Sequence, residues 1–154
     1  MFSDIVGSTE LAARLGDRAW RELLQCFVGL ARAQLAAHRG HEVDTAGDGI
    51  FATFDSPARA VSCALALARE ARPMGFEIRA GLHTGEIDAS GDKAAGIAVH
   101  IGARVMSQAG AGEVLVSATV KDLTAGAGLT FEPRGAHVLK GVPGEWLLYR
   151  ALAG

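Results

Sequence analysis

The sequence predicts an α+β domain: a mostly antiparallel sheet with helices packed on one face. Three observations support that expectation. Runs with helical spacing alternate with short β-prone runs along the chain. Two hairpin-like pairs, around Gly47-Asp48-Gly49 and around His83-Thr84, imply antiparallel neighbours. The 154 residues show no internal repeat and no low-complexity linker, which fits a single domain over 1–154 with one core.

At the amino end, Met1-Phe2-Ser3-Asp4-Ile5 reads as the end of a strand that breaks at Gly7-Ser8-Thr9, where helical spacing starts. A strand this short is expected to be truncated at its start, at a cost in ladder hydrogen bonds. From Asp17 to His38, Trp20, Leu23, Leu24, Phe27, Leu30, Ala31 and Leu35 recur three and four residues apart. This spacing predicts a long amphipathic helix with Asp17 as N-cap and Gly40 as C-cap. The runs 41–46 and 50–54 read as strands, with Asp48 at the tip of the turn between them. Ser56 then caps a helix opened by Pro57, and Ala60, Val61, Ala64, Leu65 and Ala68 continue it until Pro73. Residues 76–82 and 85–88 form the second expected strand pair. A loop with Gly91-Asp92-Lys93 leads to a helix over 96–108 and a strand over 113–116. A short helix at 119–123 and strands at 129–132 and 146–149 complete the chain.

Composition narrows the function classes. A chain that is 49% hydrophobic and 21% charged has enough apolar surface to fold by burial. Its net charge of −2 provides no global basic field, so neither nucleic acid nor an anionic membrane surface is an expected partner. Cys26 and Cys63 stand alone in apolar helical patterns and are expected as buried, reduced thiols. With no signal peptide and no apolar run long enough to span a bilayer, a cytoplasmic domain without direct membrane insertion is expected.

Asp4 and Asp48 each lie beside glycine at a strand end or hairpin tip, where a sheet can bring the two together. Paired carboxylates with flanking backbone oxygens suit Mg²⁺, a hard cation that keeps phosphate and water in its remaining positions. On spacing alone, an N-cap and a turn residue explain the same two aspartates. Just after Asp4, Gly7, Ser8 and Thr9 open a helix whose free N–H groups and positive end suit a phosphate. His38, His41, His83 and His137 show no ligand spacing with cysteine or with one another, so no zinc site is expected.

Five segments occur in the order seen in class III nucleotidyl cyclase catalytic domains: 2–9 (FSDIVGST), 45–54 (TAGDGIFATF), 81–85 (GLHTG), 96–105 (GIAVHIGARV) and 139–141 (LKG). The chain resembles this family nearly from end to end, and most closely its actinobacterial adenylate cyclases. The resemblance implies a ferredoxin-like cyclase fold and conversion of ATP to 3′,5′-cyclic AMP and pyrophosphate. Two Mg²⁺ or Mn²⁺ ions per site would be held by Asp4, Asp48 and the backbone carbonyl of Ile5. They would activate the ribose 3′-hydroxyl and bind the triphosphate. Arg104 matches the arginine that stabilises the pentavalent phosphorus, and Lys140 a lysine on the β- and γ-phosphates. In the resembled family the two aspartates come from one subunit, and the positions of Arg104 and His100 from the other, which implies a homodimer with two equivalent sites. Ile97, Val99 and Ile101 are candidates for that contact. Regulatory domains are expected in the full-length protein.

Three positions depart from the family pattern. Asp44 stands where an adenine-selecting lysine is usual, and Lys93 where its aspartate partner is usual, so the charges are exchanged. Lys93 can donate to adenine N1 while Asp44 accepts from the N6 amino group. Guanine also fits, with Asp44 accepting from N1 and N2 and Lys93 donating to O6. Alternatively the two form a solvated pair or none. His100 replaces an asparagine that orients the ribose, which predicts lowered or pH-dependent turnover. A catalytically weak nucleotide-binding or regulatory domain and a guanylate cyclase are therefore the competing readings. The Gly-Gly-Asp/Glu-Glu-Phe segment of diguanylate cyclases is absent.

Overall fold

The computed structural model describes residues 1–90 and 93–154, so Gly91 and Asp92 of the expected loop lie outside the described residues. The elements run β1 (Phe2–Ile5), α1 (Ser8–Leu15), α2 (Asp17–Ala37), β2 (His41–Ala46), β3 (Gly49–Thr53) and α3 (Pro57–Ala71), then a short 3₁₀ turn (Arg72–Met74). They continue with β4 (Ile78–Leu82), α4 (Ile97–Ser107), β5 (Val114–Ser117), α5 (Ala118–Leu123), β6 (Thr130–Val138) and β7 (Glu145–Leu152). The strands form a seven-stranded sheet in the order β2-β3-β1-β4-β5-β7-β6. Every neighbouring pair is antiparallel except β4 with β5.

That parallel pair corrects the expectation of helices on one face. Two parallel neighbours need a crossover connection, and α4 supplies it from the opposite side of the sheet. Ile78, Ala80 and Leu82 of β4 point into the core formed with α2 and α3, beside Phe27, Val61 and Leu67. On the other face, Ile101 and Val105 of α4 pack with Leu115, Leu139 and Leu148. Gly81 makes the second layer fit: a Cβ there would stand 2.1 Å from the Met106 nitrogen, so only glycine admits the helix backbone this close. Residues 85–88, read from sequence as a strand, contribute only the isolated bridge Asp88–Ala95.

Local corrections follow from geometry. Asp17 is the first residue of α2, not its cap, because Gly16 precedes the helix. At the other end, Arg39 adopts the left-handed conformation expected of a glycine, with φ 57°. Cys63 is buried as expected but Cys26 is exposed, since it lies one position off the α2 stripe of Phe27, Ala31 and Leu35. Ser56 caps α3 as the sequence predicts, accepting from the Arg59 N–H at 3.3 Å.

Candidate active site

Strand register assembles the site. β1 pairs with β3 through Phe2–Phe51 and Ser3–Ile50, so the carboxyl end of β1 runs toward the β2–β3 turn. Because Ala46 pairs with Gly49, the two central turn residues are Gly47 and Asp48. Gly47 takes φ 59° at the first of these positions, which glycine adopts without strain. The turn delivers the Asp48 side chain back onto β1, where its Oδ2 accepts from the Ile5 N–H at 2.8 Å. The two sequence-predicted carboxylates are thus brought to adjacent residues of one strand end.

Asp4 has a partner that the sequence reading missed. In the β1–β4 ladder Asp4 lies opposite Arg79, and the guanidinium binds it in a fork, Nε to Oδ1 at 2.8 Å and Nη2 to Oδ2 at 3.0 Å. The bonded carboxylate holds Arg79 even more firmly in its charged form. Asp4, Ile5, Arg79, the Gly7–Thr9 segment and the loop at Gly110 border an open cleft of about 430 Å³. Gly7 enters α1 with φ 66°, and no side chain caps that helix, so its first amides face the cleft without a side-chain acceptor. Glu10 in the first turn borders the same cleft.

The donors in the cleft are all oxygen, which suits Mg²⁺ or Mn²⁺ over softer ions. Among the described residues no group of three or more His, Cys, Asp or Glu side chains is disposed for a metal. An ion held by Asp4 and Asp48 would take its remaining ligands from backbone oxygens, water and any bound phosphate.

The other predicted residues lie apart from the aspartates. The stripe Ala98, Ile101, Gly102 and Val105 holds α4 on the sheet, and turns Ile97, His100 and Arg104 to the helix's opposite side. His100 is exposed and Arg104 half-buried, and neither makes a side-chain hydrogen bond or ion pair among the described residues. Of the three apolar contact candidates, Ile97 is 59% exposed, Val99 half-buried and Ile101 committed to the core at 5%. Lys140 is exposed in a turn closed by Val142 N–H to Leu139 C=O at 3.0 Å, between two buried anchors. Lys93 and Asp44 are both exposed and form no ion pair with each other.

Asp44 owes its direction to a bulge. β2 and β3 pair Glu42 with Ala52 and Asp44 with Phe51, leaving Val43 as the extra residue. Regular pairing would send Asp44 toward the α2 and α3 side; the bulge turns it to the face that carries Phe51, Phe2 and Asp4. Phe2 and Phe51 stack there with centroids 4.4 Å apart. A second cavity of about 130 Å³ opens at the other end of β1, where His83, Ala98 and Gly102 meet this aromatic pair. His83 is tied to Ser117 through Nδ1 at 2.7 Å and packs edge-on against Trp146, and burial lowers its pKa.

The family model of the adenylate and guanylate cyclase catalytic domain matches residues 1–151. The chain belongs to this family, the class III nucleotidyl cyclases. Its fold is shared with the adenylyl cyclase CyaB of P. aeruginosa, at TM-score 0.89 and 22% identity over 99% of this chain and 92% of that one. The guanylate cyclase domain of RhGC from Catenaria anguillulae, solved with GTP, superposes at TM-score 0.84 and 23% identity over 99% and 93%. The serine/threonine-protein kinase pkn2 of Myxococcus xanthus is 30% identical across 97% of this chain, which spans only 19% of that relative's length. No helix among the described residues is long and apolar enough to cross a membrane.

Proposed function

We propose that this domain converts ATP to 3′,5′-cyclic AMP and pyrophosphate as a homodimer, and serves as the catalytic module of a longer signalling protein. The observation behind the reading is the meeting of Asp4 and Asp48, fixed by the Ile5 N–H on Asp48, beside Arg79 and the open end of α1. In the reaction the ribose 3′-oxygen bonds to the α-phosphorus, the bond from that phosphorus to the bridging oxygen breaks, pyrophosphate leaves, and the hydroxyl proton passes to solvent. Two divalent cations held by Asp4, Asp48 and the Ile5 carbonyl would lower the pKa of the attacking hydroxyl and neutralise phosphate charge.

The chain's own groups do the rest. Amides of Ser8 and Thr9 at the start of α1 hold phosphate oxygens, with Gly7 allowing the backbone to turn there. Arg104 of the partner subunit meets charge developing on the equatorial oxygens, and Lys140 balances the outer phosphates. The partner's His100 orients the ribose. An outward-facing Arg104 and His100 support this division, because within one chain they have no contact with the aspartates. Asp44 and Lys93 read the base edge, Asp44 accepting from the adenine amino group and Lys93 donating to N1.

The exchanged Asp44 and Lys93 favour one second reading, cyclisation of GTP, since the same pair can serve guanine. Purified protein with Mn²⁺ or Mg²⁺ and either nucleotide, with cyclic product identified by mass spectrometry, separates the two. Cyclic AMP from wild type and none from Asp48→Ala is expected. Product from neither nucleotide, in folded dimeric protein, overturns the enzyme in favour of a nucleotide-binding domain.

A further inference from the structure

Asp4, which borders the cleft, and Asp48, held against the adjacent Ile5 N–H, have different electrostatic surroundings. Asp48 spends one oxygen on a neutral N–H, that of Ile5. Asp4 has both oxygens committed to a cation, the Arg79 guanidinium, in a fork whose side chains are only 23% and 30% exposed. A divalent ion sharing the Asp4 oxygens would stand within a few ångströms of that fixed positive charge, a repulsion that the water of the open cleft screens only in part. Occupation of Asp4 by a metal therefore disfavours the guanidinium where it lies. The same cleft holds the open amides of α1, and phosphate oxygens match a guanidinium fork as well as a carboxylate does.

We infer that Arg79 gates the metal site, holding Asp4 until nucleotide phosphate draws the guanidinium away, so that divalent cation and nucleotide bind cooperatively. This rests on the reading of Asp4 and Asp48 as metal ligands and adds a residue which controls when they act. Coupling of this kind is reciprocal: whatever loosens Arg79 from Asp4 raises cation affinity, and a cation on Asp4 frees Arg79 for phosphate. Asp4, Asp48 and Arg79 belong to one chain, so the first half of the exchange is measurable on either monomer or dimer.

The experiment is a titration with Mn²⁺ alone, without nucleotide, followed by electron paramagnetic resonance, on wild type, Arg79→Met, Arg79→Gln and Asp48→Ala. Removing the guanidinium charge is expected to tighten Mn²⁺ binding by roughly tenfold or more in both Arg79 variants. Adding Asp48→Ala to Arg79→Met is expected to abolish the gain, which places it in this cleft. The glutamine variant keeps polar donors against Asp4, so a fold defect of the methionine variant, seen by circular dichroism, leaves the test intact. Equal or weaker Mn²⁺ binding in folded Arg79 variants, with wild-type binding still lost in Asp48→Ala, overturns the gate and leaves the metal site standing. Absence of Mn²⁺ binding in every folded protein overturns the metal reading itself.

Discussion

On the proposed reading, single residues set which base the site accepts and how fast it turns over. Asp44 points to the Phe2–Phe51 face only because Val43 is bulged out of the ladder. Its replacement by alanine should lower kcat/KM for the preferred nucleotide by roughly 10- to 100-fold, the worth of one lost base-edge contact, and narrow the difference between ATP and GTP. Steady-state kinetics with both nucleotides checks this. His100 puts an imidazole where the family carries an asparagine at the expected ribose contact, so His100→Asn should raise kcat by roughly a few-fold with little change in KM. Steady-state kinetics of both proteins decides it. Asp4 and Asp48 were legible in the sequence because the segments 2–9 and 45–54 resemble cyclase motifs; on spacing alone an N-cap and a turn residue explained them as well. Arg79 was not: within a strand it reads as a solvated cation, and only the register that sets it opposite Asp4 reveals its partner.

At the scale of elements, periodicity revealed the helices, and the Ser56-Pro57 cap fixed the start of α3 to the residue. Connections were harder to read. The run after His83 has the composition of a returning strand, yet the chain there crosses over to α4, because β5 lies parallel to β4 and leaves no antiparallel slot. Gly81 held the missing information, as a strand glycine marks a close backbone approach. Gly81→Ala should force α4 off the sheet, since the new Cβ would lie 2.1 Å from the Met106 nitrogen. A loss of about 3 kcal/mol is expected, at the upper end for overpacking, read as a drop in melting temperature of roughly 10 °C. The bulge in β2 was also hidden, because its effect is to swap faces, and alternation in a strand with no buried residue does not fix which face is which.

The whole molecule joins a core on both faces of the sheet to a cleft at the end of β1. Glu113, just before β5, accepts from the Gly110 N–H at 2.9 Å and from Arg134 of β6 at 2.8 Å, tying the cleft wall to the far edge of the sheet. Burial opposes its ionisation, but Arg134, the Gly110 N–H and Arg150 outweigh it and hold the carboxyl below its ordinary 4.5. A carboxyl lowered in the folded state contributes stability that is present above pH 4.5 and lost as pH falls through the lower folded value. Glu113→Gln should therefore flatten acid unfolding in that window and cost about 1–3 kcal/mol at neutral pH, less than a fully buried pair because Arg134 is partly solvated. Denaturant titrations across pH read both effects. The larger consequence of the architecture is that α4 presents His100 and Arg104 away from the aspartates, which is why the proposed reaction calls for two copies of the chain. The most direct measurement is cyclic nucleotide formation by an equal mixture of Asp48→Ala and Arg104→Ala proteins, each inactive alone. Random pairing should restore about a quarter of wild-type activity, because half the dimers are hybrids with one intact site of two. No recovery, with hybrid dimers confirmed to form, would contradict a site shared between subunits.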